Sequence, residues 1–182
     1  MAPREDILGR IETSRSKLDR LVLSLEPGDF ARETEPGWTV KDTLAHIAAW
    51  ELSVVGLLDG RDRGVVMGLE PGRFAALDET AVNQSLYELS RDRDPASVLA
   101  TCRASHEELW RRLEAMDDEA FARPYSHYQP PALQPCAGCR LNQGYTREHY
   151  EEHLPARRNA LRQCSTISSG ISGESCLPPG RR

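Results

Sequence analysis

Pro36-Gly37-Trp38-Thr39-Val40-Lys41-Asp42-Thr43-Leu44-Ala45-His46-Ile47-Ala48-Ala49-Trp50-Glu51 carries a helix start followed by a largely apolar run with one histidine inside it. Thr39 is placed to accept from the backbone amide three residues on, and Asp42 to reach back to the amide of Thr39, the reciprocal pattern of a capping box. The spacing predicts a helix from here to about Asp59, ended by Gly60. On a wheel of 3.6 residues per turn, His46 shares an arc with Thr43, Ile47, Trp50, Val54 and Leu57. Lys41, Asp42, Ala45, Ala49 and Ser53 fall on the other arc and are expected to face outward.

Three more helical blocks flank this one. Upstream, Ile7, Leu8, Ile11, Leu18, Leu21, Val22 and Leu25 recur at helical spacing from about Arg4, and Glu26-Pro27-Gly28 stops the block. Downstream, a glycine-bearing loop from Gly60 to Gly72 leads to an interrupted third block. Asp78–Ser90 is helical in pattern, and Asp94-Pro95 then offers an N-cap with proline at the first helical position. Its continuation carries Val98, Leu99, Cys102, His106, Leu109, Leu113 and Met116. Residues 122–141, with four prolines and two cysteines, read as a loop. A fourth block runs from about Asn142 to Gln163. The expected architecture is an all-α four-helix bundle with crossover connections over residues 1–163, followed by a tail, 164–182, too poor in apolar residues to fold.

The fourth block holds His149-Tyr150-Glu151-Glu152-His153. Residues four apart share a helix face, so both imidazoles can converge on one point. His149, Tyr150, His153, Leu154, Arg157, Ala160 and Leu161 lie on one arc, while Glu148, Glu151, Glu152, Arg158, Asn159, Arg162 and Gln163 lie on the other. The histidines are therefore expected on the core side, where polar groups are costly unless satisfied. A divalent metal satisfies both, and His46 is the candidate third ligand from the second helix. Three neutral imidazoles with an open position make a catalytic rather than a structural metal site. The competing reading is a chance pair on one helix face.

The stretches Pro36–Glu51 and Tyr145-Thr146-Arg147-Glu148-His149-Tyr150-Glu151-Glu152-His153-Leu154-Pro155, in this order and at this separation, resemble the second- and fourth-helix signatures of the DinB/YfiT-like superfamily. With the interrupted third helix, the resemblance covers roughly residues 4–163. It implies a four-helix bundle, often a homodimer, with one divalent ion on His46, His149 and His153. It also implies transfer of a low-molecular-weight thiol, such as bacillithiol or mycothiol, to an electrophilic small molecule. Two alternatives stay open: hydrolysis of the kind found in the ClbS/DfsB-related branch, and a non-catalytic metal- or ligand-binding dimeric bundle. Nickel, zinc, iron and manganese all accept imidazole ligands, so the sequence does not choose among them. Arg157, one turn beyond His153, is a candidate for a carboxylate of the thiol cofactor or substrate, against its reading as a snorkelling arginine.

Composition excludes other classes. The 182-residue chain is 39% hydrophobic and 28% charged, with a formal net charge of -5 and a pI near 5.6. Its basic residues alternate with acids, as in Arg91-Asp92-Arg93-Asp94, so no basic face for nucleic acid is expected. No apolar run approaches the ~20 residues that span a bilayer. The charged start, Met1 to Asp6, does not read as a signal peptide, so the cytoplasm is the expected location and the five cysteines are expected as reduced thiols. Cys136 and Cys139 form one CxxC without a second pair, which falls short of a zinc knuckle. His106 on the apolar stripe reads as a satisfied core histidine. Trp38 and Trp50 read as core anchors, with Trp50 one turn from His46.

Overall fold

A computed structural model describes residues 4–128. The fourth block with His149, His153 and Arg157, the Cys136–Cys139 pair and the tail lie outside the described residues. Helix α1 spans Arg4–Leu23 and buries Leu8, Ile11, Ser14, Arg15 and Leu18, the one-sided spacing of an amphipathic helix. A 3-10 turn, Pro27–Ala31, tucks Phe30 into the core. The chain then makes a short antiparallel hairpin of β1 (Glu33–Glu35) and β2 (Trp38–Thr39), in which Glu33 faces Thr39 and Glu35 faces Trp38. Gly37 closes its turn at φ 81°, a left-handed conformation that suits glycine.

Helix α2, Val40–Leu58, begins with the expected capping box. The Asp42 amide donates to Thr39 Oγ1 at 3.3 Å, and the Thr39 amide donates to Asp42 Oδ2 at 2.9 Å. Replacing a threonine N-cap by alanine costs about 1 kcal/mol, so Thr39→Ala is expected to lower the urea midpoint accordingly. Burial raises the Asp42 pKa. The bonds from Thr39 and the neighbouring Lys41 ammonium outweigh it, and the net shift is below the ordinary 3.8. A folded-state pKa below the unfolded one means that Asp42 contributes stability above the unfolded value. That contribution fades as pH falls from near 3.8 through the folded value. Urea midpoints measured from neutral pH into this acid window should fall less steeply for Asp42→Asn than for the wild type.

Short helix α3 (Arg63–Val66) lies within the stretch Gly60–Gly72 expected as a loop, and α4 (Arg73–Ala76) follows it. The interrupted third block is seen as α5 (Glu79–Ser90) and α6 (Pro95–Ala115). Asp94 caps α6 by accepting from the Ser97 amide at 2.9 Å, with Pro95 at the first helical position. Two short helices follow, α7 (Asp118–Ala122) and α8 (Tyr125–Tyr128).

The described elements form an all-α bundle organised around α2, which packs against α6, α5, α3 and the hairpin. This corrects the expectation of an outward arc on α2. Asp42, Ala45 and Ser53 are buried, Ser53 completely. Alanine, serine and glycine on that arc let α3 approach closely: a Cβ placed on Gly56 would stand 2.6 Å from Val66 Cγ2. Small residues read as surface because they are not strongly apolar, yet here they mark close packing. One core cluster joins α1, α2 and α6 through Leu8, Ile11, Leu44, Ile47, Val98 and Leu109. A second, with Trp50, Met67, Leu69, Val82 and Leu86, lies between α2, the α3 region and α5. No helix among the described residues is long and apolar enough to cross a membrane.

Candidate metal centre

His46 lies in the second turn of α2 and is 6% exposed. Its ring stands between two indoles. Trp38 approaches at 5.4 Å between centroids with the planes at 84°, and Trp50 at 6.2 Å and 62°. Trp38 reaches this place because the hairpin folds it back over the start of α2, and a hydroxyl contact of 3.0 Å between Thr34 and Thr43 ties the hairpin to the helix. Trp50 is one turn beyond His46 and donates from Nε1 to Asn83 Oδ1 on α5 at 3.0 Å. Tyr87 on α5 lies 5.4 Å from Trp38, and Phe74 on α4 lies 6.2 Å from Trp50. The Arg63 guanidinium sits 4.6 Å over Phe74, and its Nε donates to Ser53 Oγ at 2.7 Å.

Five residues beyond His46, roughly 140° around the helix, a polar network fills another side of α2. Glu51 is 1% exposed. Its carboxylate accepts from Arg15 Nη1 on α1 at 3.1 Å and from Ser105 Oγ on α6, and lies 3.1 Å from His106 Nδ1. Arg15 also donates to the Cys102 carbonyl at 3.1 Å and to Asp19 at 2.9 Å. An ionised carboxylate only accepts, so Nδ1 of His106 carries the proton in this contact. The reading of His106 as a satisfied histidine agrees with this. Arg15, Glu51 and Ser105 were missed as a unit by sequence reasoning. The signal was an arginine, Arg15, inside the buried stripe of α1 beside Ile11 and Leu18.

Of the three expected metal ligands, His46 is described, and His149 and His153 lie outside the described residues. No cluster of three His, Cys, Asp or Glu side chains able to hold a metal occurs among the described residues. His46 itself fits the role. It is an inward imidazole, a ligand type that nickel, zinc, iron and manganese accept, and two indoles, Trp38 and Trp50, are its apolar neighbours. Trp50, read from the sequence as near His46, is found there, whereas Tyr87, Asn83 and Phe74 come from elements whose register the sequence did not give.

The family model described as "Mycothiol maleylpyruvate isomerase N-terminal domain" matches residues 11–143. The match runs from the first turns of α1 past α8, includes Trp38, His46, Glu51 and His106, and stops short of His149. No curated protein and no solved structure matches the chain. The chain therefore belongs to the mycothiol maleylpyruvate isomerase N-terminal domain family, within the DinB/YfiT-like helical bundles.

Proposed function

We propose that this protein is a divalent-metal-dependent enzyme that joins a low-molecular-weight thiol of the mycothiol kind to an electrophilic small molecule. The observation that carries the reading is the buried His46, held between Trp38 and Trp50 at the second-helix position, in a chain of a family described by a mycothiol-dependent isomerase. His149 and His153, on the predicted fourth helix, would complete the ligand set. A metal held there supplies a Lewis acid that lowers the pKa of an entering thiol and keeps it nucleophilic near neutral pH.

The remaining roles fall to the chain's own residues. Trp38 and Trp50 fix the His46 ring and keep bulk water from it. The Trp50 bond to Asn83 holds the indole in one orientation and couples α2 to α5. The Arg15–Glu51–Ser105 network locks α2 against α1 and α6, so that His46 is presented from a rigid helix. Rigid presentation matters because small displacements of positioning groups are costly to rate.

The test is turnover of a panel of electrophiles, maleylpyruvate included, by metal-supplemented protein with and without mycothiol or bacillithiol. The expected result is thiol-dependent product formation that falls at least about 100-fold in His46→Ala, the scale of losing a metal or its support. Product formed equally without thiol would favour the hydrolytic reading. No turnover with any thiol or with water would favour the non-catalytic bundle.

A further inference from the structure

Cys136-Ala137-Gly138-Cys139 is a motif that the proposed reaction does not use. It lies outside the described residues, and its sequence is what bears on its chemistry. The thiols are spaced to pair locally. The ends of a four-residue β-turn lie within about 7 Å at Cα, and a disulfide spans Cα atoms about 4.4–6.8 Å apart. Glycine at the third position suits a type II turn, and Gly138 stands there.

The neighbouring residues favour the thiolate. The chain has 28 acidic residues in 182, yet none falls between Glu119 and Glu148, while Arg140 adjoins Cys139 and Arg147 follows. A nearby cation stabilises a thiolate, and so does the CxxC spacing itself. The thiolate is the species that attacks a disulfide. Cys102, the free cysteine among the described residues, offers no such site. It is 2% exposed, inside the core that joins α1, α2 and α6.

We propose that Cys136 and Cys139 form a redox-active dithiol that exchanges with the disulfide form of a low-molecular-weight thiol. The Cys139 thiolate attacks one sulfur of that disulfide, which forms a mixed disulfide and releases one small thiolate. The Cys136 sulfur then attacks the Cys139 sulfur, which forms the Cys136–Cys139 bond and releases the second. Two electrons pass from the protein dithiol to the small disulfide, and the two protons of the dithiol end on the two released thiols. The reverse reaction restores both cysteines. The pair thus records the redox state of the thiol pool on the stretch between α8 and the predicted fourth helix. The exchange requires neither a metal nor turnover, so it is tested separately from the proposed reaction.

The test equilibrates reduced full-length protein with glutathione disulfide in the presence of a chelator, quenches by alkylation, and reads intact mass and mapped peptides. The expected result is loss of two alkylatable thiols per chain, with one internal disulfide mapped to Cys136 and Cys139 and no lasting glutathionyl group on either. Excess reduced glutathione should restore both thiols. Cys136→Ser should instead hold one glutathionyl group on Cys139, because the resolving thiol is gone. Cys139→Ser should form no internal disulfide and should react more slowly, because the serine variant lacks the thiol beside Arg140. Wild-type thiols at Cys136 and Cys139 that stay alkylatable under excess glutathione disulfide would overturn the proposal. So would stable adducts on both residues, or a disulfide that joins either of them to Cys164 or Cys176.

Discussion

Glu51→Ala is expected to destabilise the bundle by about 3–5 kcal/mol, the cost of removing one partner from a buried ion pair. The carboxylate is the shared acceptor of three side chains from two other helices: Arg15 of α1, and Ser105 and His106 of α6. Arg15 is 5% exposed, so its guanidinium stays in the interior after the substitution, with the Cys102 carbonyl and the half-exposed Asp19 as remaining partners. A typical domain is stable by only 5–15 kcal/mol, and the loss should therefore show as a large fall in urea midpoint at unchanged slope. Glu51→Gln keeps the shape and should lose less. The double variant Arg15→Met, Glu51→Leu removes both charges and should recover most of the loss, because an apolar pair of similar volume can replace a buried ion pair at little cost. A loss below about 1 kcal/mol in Glu51→Ala would mean that the network does not hold the three helices together.

Much of the fold is legible in the sequence wherever local chemistry decides. Thr39 with Asp42, and Asp94 with Pro95, mark helix starts because a cap is made within four residues of chain, and both are found in place. The interruption between α5 and α6 is legible for the same reason. The burial of Ser53 was not legible, because it depends on how closely α3 packs on α2, nor was that of Ala45, which packs in the cluster shared with α1 and α6; the periodicity of α2 alone carries no record of its neighbours. The Glu51 network was hidden similarly: a glutamate after Trp50 looks like solvated surface until α1 brings Arg15 to it. In the site, His46 and its inward direction follow from the wheel. Its aromatic surroundings do not, since Trp38 arrives through a hairpin turn at Gly37, and Tyr87 and Asn83 through the register of α5.

The second large effect concerns the metal. A group that binds only the folded state stabilises it by RT ln(1 + [L]/Kd), about 4 kcal/mol at a thousandfold excess over Kd. Chelation should therefore lower the thermal midpoint of wild-type protein, and resupply of nickel, zinc or manganese should restore it. His46→Ala should have the lower midpoint with or without added metal. On this proposal the truncation removes a ligand, and the indole neighbours of His46 offer no lone pair to replace it. Protons compete with a metal for imidazole nitrogens, so on this proposal the metal-dependent increment should shrink on acidification. The most direct test is elemental analysis of purified, untagged protein, wild type beside His46→Ala and His149→Ala. About one equivalent of a divalent transition metal in wild type, absent from both variants, is the result this account predicts. Wild-type protein that holds no metal and refuses added nickel, zinc, iron and manganese would contradict it.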